Sequence, residues 1–474
     1  MSDTIEADEP DVKRPAAPTA LDALDHLISS AGAEMTKVRT GGIVTEVTPA
    51  YCRVSGLSQY LKLGECVELA AGGHAQLGEV VRIDESGVTV KPFEPTMKAG
   101  LGTIAWRRGF LTLNPDPSWK GRIVNALGTP IDGLGDLAQG QHSVSSDRIP
   151  PPPMRRQRVR QPLKTGVRVI DLFTPLCAGQ RIGIFAGSGI GKSTLLSMLA
   201  RSRGFDTAVI ALVGERGREV REFIEDAFAQ QKGRAIVVVA TGDESPMMRR
   251  LAPKTAMCIA EFFRDRGESV LLAVDSVTRF AHAARDVAMA AGEPPVSRGY
   301  TPSVFSELPK LLERAGPGEE GTGSITGVFA VLVDGDDHND PIADSIRGTL
   351  DGHIVLDRAI ADQGRYPAVN LLTSTSRLAR NVWTPEQGKL VMRLKAMIAH
   401  FEDTRDLRLM GGYRAGTDPE LDKAIQLVPK IYETMSQSPD EPSSIDALQE
   451  VARALSVEAA APEANKADPP GAKD

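Results

Sequence analysis

The run RIGIFA (Arg181–Ala186) passes without a break into Gly187, Ser188, Gly189, Ile190, Gly191, Lys192, Ser193 and Thr194, and then into the helix-forming LLSMLARSR. Few local patterns restrict a chain as tightly. Three glycines within five residues let successive backbone N–H groups line one concavity, and the following helix N-terminus adds partial positive charge. Such a cradle suits a nucleoside triphosphate, with Lys192 reaching the β and γ oxygens and Ser193 placed to ligate Mg²⁺. The opening position is Ala186 where the pattern has Gly. It sits at the strand end, where a methyl is tolerated. A dinucleotide-binding turn is the rival reading, but Lys192 and Ser193 have no use at a pyrophosphate turn. Because the partner of Lys192 is then a phosphate of the ligand, its loss is expected to leave the core untouched.

The text around this loop alternates. Apolar runs TAVIALVG (207–214), AIVVVAT (235–241), SVLLAVD (269–275), ITGVFAVLVD (325–334) and AVNLLTS (368–374) are separated by helical stretches. Continuous Val/Ile/Leu runs mark strands buried on both faces, so the expectation is a parallel sheet with right-handed crossovers. Upstream, residues 40–113 break into short β-like runs bounded by Gly, Pro and Asp-Glu-Ser, as in a small all-β barrel or sandwich. Residues 114–382 then carry the nucleotide-binding domain, with 114–156 as a linker region and the Pro-rich IPPPPMRR (149–156) at or just after the boundary. After Trp383 the pattern turns helical to about residue 455, and 456–474 reads as a disordered tail. The fold class expected is α/β: a phosphate-loop parallel-sheet core, an N-terminal β-barrel and a C-terminal helical domain. Residues 1–39 read as a disordered leader carrying a short amphipathic helix, with Leu21, Leu24, Leu27 and Ile28 on one face. That helix either docks on its own domain or binds a partner.

Composition removes several classes. The longest apolar runs, such as 235–240 and 328–333, fall far short of the ~18 residues of a membrane span. The acidic start MSDTIEADEPDVKR has no apolar core of a secretory signal, so a cytoplasmic location is expected. Cys52, Cys66, Cys177 and Cys258 are scattered, without the spacing of a zinc site or a disulfide framework, and read as reduced core thiols. A net charge of −7 argues against a nucleic acid wrapping the surface.

Two further elements carry chemistry. Asp275 ends the strand LLAVDS, where a carboxylate beside the phosphate loop can hold Mg²⁺ through its water shell. In VGERGREV, Glu215 follows a strand end, with Arg216 and Arg218 close by. Hydrolysis needs a carboxylate to orient the attacking water and cations to balance developing charge. The residues alone leave Glu215 and Glu219 open for that role.

The combination of TGVRVIDLFTPLCAGQRIGIFAGSGIGKST, VGERGREVREF, DSVTRFAHAARDVAMAAGEPPVSRGYTPSVFSELPKLLERAG, DGDDHNDPIADSIRGTLDGHIVLDRAIADQGRYPAVN and TSTSRLAR resembles the flagellar and type III secretion ATPase family. These are relatives of the F-type and V-type rotary ATPase catalytic subunits, and the resemblance covers about residues 38–435. It implies that Glu215 activates the catalytic water and that Arg216 and Arg279 organise the site around the γ-phosphate. It implies further that Arg377, with Arg380 its nearest rival, is an arginine finger reaching a neighbouring subunit's nucleotide, and that Tyr366 stacks on adenine. The implied cofactors are ATP and Mg²⁺, and the implied assembly is a homohexamer energising flagellar protein export. Implied partners are an export-apparatus stator or regulator protein bound through the N-terminal helix, export chaperones and secreted substrates. The implied location is the cytoplasm, peripheral to the inner-membrane export gate.

A rotary ATP synthase subunit is disfavoured by NDPIADSIRGTLDGHIVL, which is typical of secretion ATPases. A Rho-like hexameric RNA translocase needs an aromatic, basic N-terminal face, for which residues 40–113 offer Tyr51 and Tyr60 and little basic clustering. A purely structural ring subunit is expected to lack Lys192 or Glu215. The chain departs from many members at SWKGRIVNALGTPIDGLG, where Trp119, Lys120 and Asn125 bear on how the barrel packs and not on the nucleotide site.

Overall fold

The computed structural model describes Leu21, Leu24 and residues 39–228, 233–333 and 340–456. The leader, most of the amphipathic helix and the C-terminal tail lie outside the described residues. Leu21 and Leu24 are helical and exposed.

Strands β1 (Gly41–Val47), β2 (Cys52–Ser55), β3 (Glu65–Ala71), β4 (His74–Asp84), β5 (Gly87–Pro92) and β6 (Ile104–Phe110) close into a barrel in the order β1-β2-β5-β4-β3-β6. Apolar residues at alternating positions, among them Val44, Val54, Val67, Leu69, Val80, Val88 and Val90, fill its interior. Register shifts at Val44/Glu46, Cys66/Val67 and Val80/Arg82 bend the strands enough for six of them to close.

Two short antiparallel pairs follow, β7 (Thr112–Leu113) with β9 (Val144–Ser145) and β10 (Pro162–Leu163) with β11 (Leu176–Cys177). Between the first two, β8 (Ile123–Asn125) already belongs to the main sheet, so the chain enters the core before the Pro-rich run. The remaining strands are β12 (Arg181–Ala186), β13 (Thr207–Val213), β14 (Ala235–Ala240), β15 (Ser269–Asp275), β16 (Gly316–Pro317), β17 (Ser324–Leu332), β18 (Gly352–Val355) and β19 (Thr375–Ser376). Among the described residues they form a nine-stranded sheet in the order β19-β18-β12-β17-β15-β13-β14-β8, with β16 paired to β17. From β18 to β8 every neighbouring pair on this path is parallel.

The period of two sorts each apolar run onto two faces. In β13, Val209, Ala211 and Val213 pack with the helices Pro246–Asp265, Val277–Ala290 and Pro302–Glu313. Ala208, Ile210 and Leu212 pack with the helix Lys192–Ala200 and the C-terminal helices. The expected α/β fold with barrel and helical domain is what the chain adopts. One strand differs. AVNLLTS is a turn, because the Asn370 side chain accepts from the N–H groups of Leu372 and Thr373 and donates to Asp357. The strand beside β12 is instead β18, GHIV, next to the antiparallel edge strand β19.

The barrel is fastened to the core by Arg250, whose buried guanidinium bridges Glu79 of β4 and Glu307, each at 2.9 Å. Trp119, Lys120 and Asn125 are all used within the chain. Trp119 is buried and its Nε1 donates to the Ala138 carbonyl at 2.7 Å. Lys120 pairs with Glu268 and lies 4.9 Å from the Phe263 ring centroid. The Asn125 side chain accepts from Leu127 and Thr129 N–H groups in the following turn. All four cysteines are buried and free. Among the described residues no helix is long and apolar enough to cross a membrane.

Candidate active site

Parallel topology puts the C-terminal tips of β12, β13 and β15 at one edge, and the site is built there. The loop leaving β12 exposes Ser188 and Gly189 and buries Ile190. Gly191 caps the helix Lys192–Ala200 at φ +90, a conformation that favours glycine. Ser193 and Thr194 are exposed in its first turn.

Lys192 is buried and its ammonium donates to Asp275 Oδ1 at the tip of β15 and to Glu215 Oε1 at 3.4 Å. Asp275 is only 2% exposed. Lys192 is therefore paired inside the chain, which corrects the expectation that its loss leaves the core untouched. Burial alone pulls the ammonium's pKa down, but the Asp275 and Glu215 carboxylates outweigh it and hold the value above its usual range. The Glu215 carboxyl is pushed up to about 7, chiefly by burial, against the pull of Lys192 and with Asp275 and Glu219 adding to the rise.

Glu215 follows β13 through Gly214, which has φ +70 and where a Cβ would lie 3.1 Å from the stem of Arg279. The Glu215 carbonyl accepts from Gly242 N–H at 2.9 Å, so the loop after β14 also fixes it. Glu219 stands beside Glu215, is partly exposed and pairs with Arg216 at 3.7 Å, but Lys192 is not among its partners. Geometry thus brings Glu215, not Glu219, to Lys192.

The arginines are distributed differently. Arg216 is 82% exposed at its side chain. Arg279 lies over Gly214 beside Glu215, on a helix capped by Ser276, whose Oγ accepts from Arg279 N–H. Arg377 is exposed just beyond β19, with its N–H donating to the Asp351 carbonyl at 2.9 Å. Asp351 N–H in turn donates to the Arg181 carbonyl at the start of β12. Arg377 is therefore level with the strand end opposite the phosphate loop.

Tyr366 is half exposed and its ring lies beside Gly191, 3.5 Å from where a Cβ would stand. It lines a cleft of about 580 Å³ with Thr194, Leu195, Met198, Pro367 and Ser436. Its lining joins the phosphate-loop residues Gly191 and Thr194 to an aromatic ring and apolar side chains, with Glu433 and Glu441 also on it, and a cleft of mixed polar and apolar lining suits a nucleotide. Sequence reading missed two contributors. Arg358 donates to the Ser188 carbonyl at 2.9 Å and so braces the loop across 170 residues of chain, a relation without a local signal. Met198 follows Thr194 and Leu195 by one helical turn, a spacing that could have placed it on the same face.

Residues 166–376 match the ATP synthase alpha/beta family, nucleotide-binding domain, and residues 383–451 match the T3SS EscN ATPase C-terminal domain. The chain is 60% identical over 418 residues to the flagellum-specific ATP synthase of Agrobacterium fabrum, covering 88% of each chain. It is 56% identical over 443 residues to that of Rhizobium meliloti, covering 94% of this chain and 95% of the relative. Its fold matches the assembled ATPase EscN from the enteropathogenic E. coli type III secretion system. That match has a TM-score of 0.81 at 38% identity and covers 88% of this chain and 99% of that one.

Proposed function

The chain belongs to the flagellar and type III secretion ATPase family, and we propose that its phosphate-loop site hydrolyses Mg²⁺-bound ATP within a homohexameric ring that energises flagellar protein export. The enzyme is an ATPase of flagellar and type III export. The observation that carries the site assignment is the convergence of Lys192, Asp275 and Glu215 at the tips of β12, β13 and β15.

In this reading the N–H groups of residues 187–194 cradle the phosphates, and Lys192 leaves its internal partners to pair with β and γ oxygens. That exchange frees the Glu215 carboxylate to orient and polarise the attacking water. Arg279, beside it, balances charge at the γ-phosphate, and Arg216 serves the same region from the outer surface. The exposed Ser193 hydroxyl and the Asp275 carboxylate are hard oxygen donors suited to Mg²⁺, which supplies charge neutralisation on the phosphates when bound. Tyr366 stacks on adenine across the cleft. Arg377 cannot reach its own phosphate loop and serves the next subunit's nucleotide, which makes ring closure part of the active site.

The EscN neighbours were solved assembled, and in one case in complex with a central stalk, EscO. We extend the assembled state and a bound partner to this chain. Export chaperones, secreted substrates, a stator or regulator protein on the N-terminal helix and peripheral contact with the membrane export gate complete the proposal.

Phosphate release measured from nanomolar to micromolar protein, alongside light scattering, tests it. Mg²⁺-dependent specific activity should rise steeply as rings form. Flat activity without a ring overturns the assembly, and no ATP hydrolysis in assembled rings overturns the site.

A further inference from the structure

Arg365 and Tyr366 are consecutive, yet they line different spaces. Tyr366 lines the nucleotide cleft, whereas Arg365 lines a separate cavity of about 210 Å³ between residues 357–372 and the helices Pro385–Asp403 and Pro419–Met435. Pro367 and Ser436 line both, so the two spaces share a thin wall.

That wall is tied to the C-terminal domain at two points, one on a helix and one just after it. The Arg365 guanidinium lies 3.8 Å from the Tyr432 ring centroid, and the Tyr432 hydroxyl donates to Glu402 Oε1 at 2.6 Å. One residue along, the Tyr366 carbonyl accepts from Gln437 N–H at 2.8 Å. Gln437 is itself locked, its amide donating to the Gly166 carbonyl at 2.9 Å and accepting from Arg168 N–H at 3.0 Å. The Gln437 bond holds the Tyr366 carbonyl, and the Arg365 stack ties the residue before it. Gly364, at φ +71, leaves that turn free on its N-terminal side.

We infer that Arg365 is a positioning residue: stacked on Tyr432, it holds the Tyr366 ring over Gly191 and so sets the base-binding wall of the cleft. It never touches the nucleotide. The inference rests on the adenine reading of Tyr366 given above. Its chemical signature is selectivity, because a base-wall defect weakens ligands that carry a base and spares those that carry only phosphates.

The test is equilibrium binding of ATP and of inorganic tripolyphosphate to the full-length chain, with steady-state kinetics, for Arg365→Met, Arg365→Lys, Tyr432→Leu and Tyr366→Ala. Arg365→Met is expected to weaken ATP roughly threefold to tenfold, the range for a partly desolvated cation–π contact, and to leave tripolyphosphate unchanged. KM for ATP should rise with kcat held at saturation. Tyr432→Leu should match it, the double variant should be no worse than either, and Arg365→Lys should restore part of the affinity. Unchanged ATP binding in Arg365→Met beside a clear loss in Tyr366→Ala overturns the inference and leaves the adenine reading standing. Equal weakening of ATP and tripolyphosphate, in the Met or the Lys variant, overturns it as a general loosening. If Tyr366→Ala also spares ATP, the adenine reading fails and this inference with it.

Discussion

Arg377 and Lys192 lie at opposite strand ends of the main sheet. Arg377 is level with Arg181 through the Asp351 backbone, and the phosphate loop starts after Ala186, at the far end of the same strand. Six residues of strand span ~17 Å, well beyond a side chain's reach. In the proposed ring, a finger at Arg377 would therefore serve the next subunit's phosphates.

Mixing should expose this arrangement. Arg377→Ala and Lys192→Ala chains are each expected to lose about 10³-fold in turnover, the scale of an arginine finger or a phosphate-loop cation. Co-assembled, they should regain activity, because an intact loop then meets an intact finger at some interfaces. Phosphate release from the mixture, with co-assembly checked by light scattering, reads the outcome. Mixed rings without activity would mean that Arg377 works in cis or that the sites must fire in sequence around the ring.

Lys192→Ala should also destabilise the nucleotide-free chain. It leaves Asp275 buried and uncompensated, a loss of about 3 kcal/mol for a broken buried pair. Adding Asp275→Asn should recover most of that stability and none of the activity. Denaturant midpoints of the single and double variants check this, and unchanged stability in Lys192→Ala would mean the pair contributes nothing before nucleotide binds.

The raised Glu215 carboxyl makes two pH predictions. The folded chain holds this proton more tightly than the unfolded one, so the stabilisation is complete below the ordinary carboxyl value of 4.5 and is lost as pH rises through about 7. Glu215→Gln should therefore stabilise the nucleotide-free protein at pH 8 by an amount of order 2 kcal/mol, with little effect at pH 5, while turnover falls ~10²-fold. Since kcat/KM follows the free enzyme, its acid limb should have a midpoint near pH 7. Glu219 adds to the rise in Glu215, so Glu219→Gln should move that midpoint down without abolishing turnover. Loss of turnover in Glu219→Gln would transfer the water-activating role to Glu219.

Trp119→Phe should cost roughly 2 kcal/mol, because the Ala138 carbonyl loses its indole donor and the core keeps a small void. Specific activity of the folded rings should stay at wild type. A change in ring formation with stability intact would instead give Trp119 a role at the subunit boundary.

Much of the site was legible because its parts are contiguous in the chain. The strand, the three glycines, Lys192 and Ser193 lie within thirteen residues, and local backbone geometry alone gives them the shape of a phosphate cradle. Asp275 was readable as the end of an apolar run. The choice between Glu215 and Glu219 was not readable from the residues, since both follow the same strand and only the packing of Gly214 under Arg279 aims one of them at Lys192. The strand expected at AVNLLTS failed for a related reason. Composition cannot distinguish a buried strand from a turn whose hydrogen bonds come from one Asn side chain.

By itself, then, the sequence determined the α/β class, the order of barrel, core and helices, and the chemistry of the phosphate loop, because periodicity and short motifs are local and encode local geometry. Only the tertiary structure decided what depends on pairing across long stretches of chain. It set β18 and β19 beside β12 and added β8 to the far edge of the sheet. It braced Ser188 with Arg358, tied Arg365 to Tyr432 and put Arg377 at the strand end away from the loop. Those contacts join residues up to 170 apart, and periodicity and short motifs, which act over a few residues, do not encode a partner at that separation.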